Sequence, residues 1–229
     1  MNNETENKEQ TVSGRLQEVS EALALALKKA GREKESCDLV AVSKTKTVGE
    51  IKEAISAGQR VFGENRVQEA ADKWPDIIEG CDDISLHLIG PLQSNKARAA
   101  VNLFDVIETL DREKLARALA RVMQEENKFP KIYVQVNTGE EVQKAGVKPS
   151  ELGAFLKTLR DDIGLKIEGL MCIPPQSEEP SLHFALLKNL ADKYNIKSLS
   201  MGMSSDFEIA AQLGATSVRV GTRIFGGRV

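Results

Sequence analysis

From Leu39 onward, short apolar runs alternate with longer stretches whose apolar positions recur at helical spacing. The runs fall at residues 39–42, 60–62, 85–89, 105–109, 131–136, 166–171, 198–201 and 217–220. Each is too short for a helix and is bounded by turn residues, so it reads as a buried strand. The segments at 48–57, 67–73, 95–102, 112–125, 150–160, 180–194 and 205–213 read as helices. Thr47 with Glu50 and Ser205 with Glu208 fit the capping-box pattern, Asp111 precedes a helix-favouring run, and Gly58 and Gly214 stand where helices stop. An amphipathic helix carrying Leu16, Val19, Leu23 and Leu27 comes first and stops at Gly31. Residues 1–10 are polar and read as a disordered tail, which leaves 11–229 as one domain.

Strands that alternate with helices build a parallel sheet with right-handed crossovers. Eight such units, with no GxGxxG after the first strand, favour a (β/α)8 TIM-type barrel with an extra N-terminal helix over an open doubly wound sheet. In such a barrel, functional side chains gather where the strands end. Period-two alternation sets Val40, Val42 and Lys44 on one side of the first strand and Leu39, Ala41 and Ser43 on the other. With the first set inward, Lys44 points into the mouth; Lys46, just before the capping box at Thr47, is a loop residue. A solvated rim position is the plain alternative for Lys44.

Composition narrows the function classes. The net charge of −3, from 31 basic and 34 acidic residues, supplies no basic face for nucleic acid or an anionic membrane. No stretch reaches the length of a membrane-spanning helix, and the N-terminus has no signal-peptide core. Cys37, Cys81 and Cys172 are scattered and odd in number, and only two histidines are present, so neither a disulfide framework nor a zinc site is expected. These features describe a cytoplasmic protein.

Alternation in the last strand turns Arg219 inward as well, between the helix-facing Val218 and Val220. Closure makes the first and eighth strands neighbours and brings Lys44 and Arg219 together. Two cations in a partly dry mouth call for an anion or for a lysine that gives up its proton, because arginine cannot. A neutral lysine is what Schiff-base formation with an aldehyde needs. The loops at residues 201–206 and at Gly221-Thr222, after strands seven and eight, lie where barrels often bind phosphate. Ser205 also serves as a plain cap, and Gly221-Thr222 as a simple turn. Together these groups suit an aldehyde bearing a phosphate, such as pyridoxal 5'-phosphate (PLP).

The motifs LVAVSKTK at 39–46, FGEN-VQE at 62–69, HLIGPLQSNK at 87–96 and VQVNTGEE at 134–141 occur in order. KAG at 144–146, GLMCIPP at 169–175, LSMGMSSDFEIA at 199–210 and VRVGTRIFGGR at 218–228 follow. On these the sequence resembles the pyridoxal phosphate homeostasis proteins, single-domain relatives of the alanine racemase N-terminal barrel. The resemblance implies that Lys44 carries PLP as an aldimine and that Arg219 faces the pyridine nitrogen. It also implies that Ser204, Gly221 and Thr222 receive the phosphate and that Asn65 lies at the ring's edge. Arg66 replaces a tyrosine frequent in the family, and Val142 a proline.

Three functions compete. The first is a PLP-binding protein of intracellular PLP homeostasis and amino-acid balance, without robust catalysis, a monomer whose recipients are PLP-dependent apo-enzymes. The second is a PLP-dependent amino-acid racemase; the third is an unrelated phosphate-binding barrel. Racemisation needs a base on each face of the carbanion. The racemases take a tyrosine from an added domain of a partner subunit, whereas here only ten residues follow Arg219 and the tyrosines are Tyr133 and Tyr194, neither at a strand end. His87, Gln93, Asn95, Lys96, Lys144, Arg223 and Cys172 read as core, cap or surface positions.

Overall fold

The computed structural model describes residues 11–81 and 83–227. The predicted tail at 1–10 lies outside them, as does Arg228 of the last motif. The chain begins with α1 (Val12–Lys29), whose Val12, Leu16, Val19, Leu23 and Leu27 are buried. Eight strands follow: β1 (Asp38–Val42), β2 (Val61–Glu64), β3 (Ser85–Leu88), β4 (Val106–Leu110), β5 (Lys131–Val136), β6 (Gly169–Cys172), β7 (Ser198–Ser200) and β8 (Ser217–Val220). All adjacent pairs are parallel, and β8 pairs back on β1, closing the barrel. Between and after them come α2 (Val48–Ser56), α3 (Val67–Lys73), α4 (Pro75–Ile78), α5 (Ala97–Leu103), α6 (Glu113–Glu126), α7 (Leu152–Thr158), α8 (Pro180–Lys193), α9 (Phe207–Gln212) and α10 (Thr222–Phe225). Helix α1 packs against α9, α10 and α2, covering the outside of the seam where the barrel closes.

Alternation sorts the strand residues into two layers. Ala41, Phe62, Leu86, Leu88, Ile107, Val134, Leu170, Leu199, Val218 and Val220 join the core between strands and helices. Val40, Val42, Tyr133 and Met171 are buried yet stand outside that core, facing the lumen. In β4 a register irregularity between Ile107 and Leu110 returns Leu110 to the helix side, although Glu108 points inward.

The local signals hold in most places. Thr47 and Glu50 form the expected reciprocal capping box, and Gly31, Gly58 and Gly214 all take the positive φ of helix stops. Three expectations need correction. The N-cap of α9 is Asp206, not Ser205, and no side chain caps it; Asp206 instead accepts the N–H of Met203 at 2.6 Å, bending the loop. The helix expected over 150–160 is α7 followed by a wide turn at Leu159–Ile163, which ends at Gly164. Arg112 rather than Asp111 holds the N-cap position of α6, with no side-chain capping bond, and its guanidinium pairs with Asp111.

Replacing Thr47 by Ala removes the hydroxyl that accepts the Glu50 N–H and leaves only the backbone half of the box on α2. The urea midpoint should fall by the equivalent of about 1 kcal/mol with an unchanged m-value.

Candidate functional site

The end of β1 is built around one side chain left free. Ser43 turns outward: its Oγ donates to the buried Glu64 Oε1 at 2.6 Å, beneath Trp74. Alternation therefore turns Lys44 to the lumen side. Thr45 then adopts a left-handed φ of 62°, which ends the strand pattern. Lys46 leaves the mouth, as expected for a loop residue; its Nζ donates to the carbonyl of Phe225 at 2.9 Å and pairs with Glu50. Lys44 is half-buried, and among the described residues its ammonium makes no ion pair or hydrogen bond.

Arg219 lies inside the barrel, 4% exposed, and its Cα pairs with Val40 of β1. Its surroundings correct the expectation of an uncompensated pair of cations. Glu108 of β4, fully buried, stands 3.7 Å from Arg219 Nη1. Ser200 of β7 bridges them: its Oγ accepts from Arg219 and donates to Glu108 Oε2 at 2.5 Å. The other Glu108 oxygen meets His87 Nδ1 at 2.7 Å, and Arg219 Nη2 donates to the carbonyl of Cys172 at 2.8 Å. Side chains from four strands, with a carbonyl from a fifth, thus form one polar layer across the lumen, and the anion is already present. Burial alone would raise the Glu108 carboxyl, but the hydrogen bond and charge of His87, the charge of Arg219 and the Ser200 hydroxyl overcome it and hold the group below its ordinary value. Among the described residues, Arg219 Nε–H has no partner, so one donor of a fixed guanidinium stays available.

The loops after β7 and β8 are drawn together beside β1. Gly202 has φ 89°, and a Cβ there would stand 2.5 Å from that of Ala210, so only glycine permits this turn. The hydroxyl of Ser204 accepts the N–H of Gly221 at 3.2 Å. Gly221 packs on Val42, where a Cβ would come within 3.3 Å of its carbonyl and side chain. Thr222 follows, exposed. Among the described residues the N–H groups of Ser204, Ser205 and Thr222 have no acceptor, which leaves donors for an anion. Asn65, half-buried after β2, lies under the β3 loop at Gly90, where a Cβ would fall 2.1 Å from the Asn65 carbonyl oxygen. The structure therefore joins Ser204 to Gly221 and sets both against β1. It sets Arg219 beside Val40, four residues before Lys44 in the chain.

Sequence reasoning missed Glu108 and Ser200 and set His87 aside as a core histidine. The one available signal was a carboxylate at an inward position between Ile107 and Thr109. The other residues set aside have ordinary partners. Lys144 pairs with Glu141, and Arg223 pairs with Glu208 over the Phe207 ring. The Cys172 thiol belongs to the helix-facing core, where burial pushes it up to about 12. Among the described residues no group of three His, Cys, Asp or Glu could hold a metal, and no helix is long and apolar enough to cross a membrane. A cavity of about 650 Å³ opens beside the loops entering β6 and β7, lined by Gly153, Leu156, Tyr194 and Ile196. It lies at the opposite end of the strands from every group described above.

The chain forms a closed parallel barrel, and the family model of the alanine racemase N-terminal domain matches residues 16–229. The pyridoxal phosphate homeostasis protein of Vibrio cholerae serotype O1 is 40% identical over 228 residues, covering 95% of this chain and 97% of its own length. PipY of Synechococcus elongatus, solved without PLP, matches with a TM-score of 0.80 at 40% identity, over 90% of this chain and 99% of PipY. PipY with PLP bound matches at 0.76 and 39% identity, over 89% and 100%. The chain belongs to the pyridoxal phosphate homeostasis protein family.

Replacing Glu108 by Gln leaves Arg219 charged and uncompensated in the lumen. It should lower stability at neutral pH by about 3 to 5 kcal/mol. Because the folded-state carboxyl is depressed, its contribution is present above the ordinary value of 4.5 and is lost as pH falls below it. Denaturation of both proteins across pH should show the gap closing in that acidic range.

Proposed function

We propose that the protein binds PLP covalently through Lys44 and serves PLP homeostasis and amino-acid balance as a holder of the cofactor, without robust turnover of its own. The observation that carries this reading is the unpaired Lys44 ammonium at the end of β1, with the Ser204–Gly221 donor pair packed on the same strand at Val42. The residues fit the group. Ser204 and Thr222 would hold the phosphate through hydroxyl and backbone donors, with Gly221 allowing the close approach beside them, Arg219 would offer its Nε–H to the ring nitrogen, and Asn65 would border the ring. That PipY has been solved with PLP bound supports the same reading. Bound PLP supplies an aldehyde carbon for an amine and a ring that withdraws electrons.

The protein's own side chains explain why holding dominates over turnover. Arg219 is permanently protonated and its charge is fixed by Glu108, so it donates to a ring nitrogen without transferring a proton. Arg219 would thus leave a bound ring a weak electron sink. A racemase also needs an acid–base group on the face opposite the lysine. Tyr133 is buried low in the lumen against Gly169 and hydrogen-bonded to Ser198, at the barrel end opposite the mouth. Tyr194 is packed against Gly153 on the outer ring. Neither reaches Lys44. PLP-dependent apo-enzymes in the cytoplasm are the recipients this reading implies, served by a monomer.

Borohydride reduction of the PLP-loaded protein followed by peptide mass spectrometry should place the phosphopyridoxyl group on Lys44. The yellow absorbance should be lost in Lys44→Ala; a Lys44→Ala protein with wild-type absorbance and its label on another lysine would contradict the assignment. Incubation with single enantiomers of amino acids should give no sustained inversion by chiral chromatography, and steady inversion would establish the racemase instead.

A further inference from the structure

The two peptide groups flanking Lys44 are gripped by a single helix outside the barrel. The carbonyl of Ser43 belongs to the peptide bond before Lys44, and it accepts from Lys73 Nζ at 2.9 Å. The N–H of Thr45 belongs to the peptide bond after it, and it donates to Glu69 Oε1 at 2.5 Å. Glu69 and Lys73 lie four residues apart on one face of α3 and are joined at 3.0 Å. Lys73 is anchored further by Glu64, 2.8 Å away and fully buried, which also takes the Ser43 hydroxyl and the Trp74 indole N–H. The Trp74 ring in turn packs on Phe62 with centroids 5.1 Å apart.

This arrangement gives a role to both glutamates of the FGEN-VQE stretch, Glu64 and Glu69, which the binding of a phosphate or an aldehyde leaves unused. It also accounts for the backbone at Thr45. A β-branched residue at φ 62° is strained, and such conformers persist where the surroundings over-determine them. Here Glu69 fixes the N–H of that same residue. The ammonium of Lys44 is free while both of its peptide planes are pinned, so the side chain departs from a backbone that cannot drift.

We propose that Glu69 and Lys73 are positioning residues that set, from the helix layer, where Lys44 presents its amine and hence how firmly the protein retains covalently bound PLP against a competing amine. This rests on the reading that Lys44 carries the cofactor. Retention is governed by the stability of one carbon–nitrogen bond whose exchange needs the incoming amine to approach and the lysine amine to depart. A lysine held at both peptide planes recombines before it departs; a lysine on a loose loop does not.

The test uses PLP-loaded full-length protein with hydroxylamine as the competing amine, following loss of the yellow absorbance. Glu69→Ala should release PLP on the order of tenfold faster than wild type, the scale expected for losing a charge-assisted hydrogen bond. Glu69→Gln, whose amide oxygen can still accept the Thr45 N–H, should restore most of the slow release. Melting temperature, measured alongside, separates positioning from general stability. A lowered melting temperature in Glu69→Ala with wild-type release, or equal release from all three proteins, overturns the proposal. Wild-type protein whose borohydride label is absent from Lys44 overturns the attachment reading itself, and the proposal with it.

Discussion

A guanidinium inside a barrel cannot shed its proton, so the lumen that contains Arg219 has to contain its counter-charge as well. Glu108 meets that demand from β4, on the far side of the barrel, through Ser200 on β7. The pairing is possible only because β8 closes on β1 in a register that sets Arg219 beside Val40, well inside the barrel. Closure, charge balance and the depth of the polar layer are therefore one constraint. It leaves Lys44, nearer the mouth on the neighbouring strand, as the cation among the inward-facing groups that has no partner among the described residues.

The mouth is organised in three levels as a consequence. Lowest is the fixed layer of His87, Glu108, Ser200 and Arg219, in which Arg219 Nε–H has no partner among the described residues. Above it, the loops after β7 and β8 converge because Gly202 permits a left-handed turn and Gly221 permits close approach to Val42. At the rim, α3 holds the β1 loop by its peptide groups. A rigid donor set at one end and a pinned amine at the other suit a small bifunctional ligand with an anion and an aldehyde.

Much of this was legible in the sequence because parallel barrel strands are buried on both faces and helices punctuate them regularly. The inward row of Val40, Val42 and Arg219 followed from alternation alone, and the Thr47 cap from its spacing with Glu50. Glu108 was not legible: a lone carboxylate in a strand reads equally as a rim residue, and its partners lie on strands distant in sequence. That omission made the lumen look like two bare cations, when one already had its counter-ion. The grip of Glu69 and Lys73 on the β1 loop was hidden for a related reason, since an acid and a lysine four apart on a helix look like an ordinary surface pair. The wide turn after α7 carries no punctuation until Gly164, so its pitch escaped the helical pattern.

The central claim is that one PLP molecule spans Lys44, the Ser204–Gly221–Thr222 loops and Arg219. A crystal structure of the protein grown with PLP tests it most directly. The account predicts electron density continuous with Lys44 Nζ, phosphate oxygens within hydrogen-bond distance of Ser204 and Thr222, and the ring nitrogen next to Arg219. Density attached to a different lysine, or a ring nitrogen turned away from the guanidinium while Arg219 stays paired with Glu108, would contradict it.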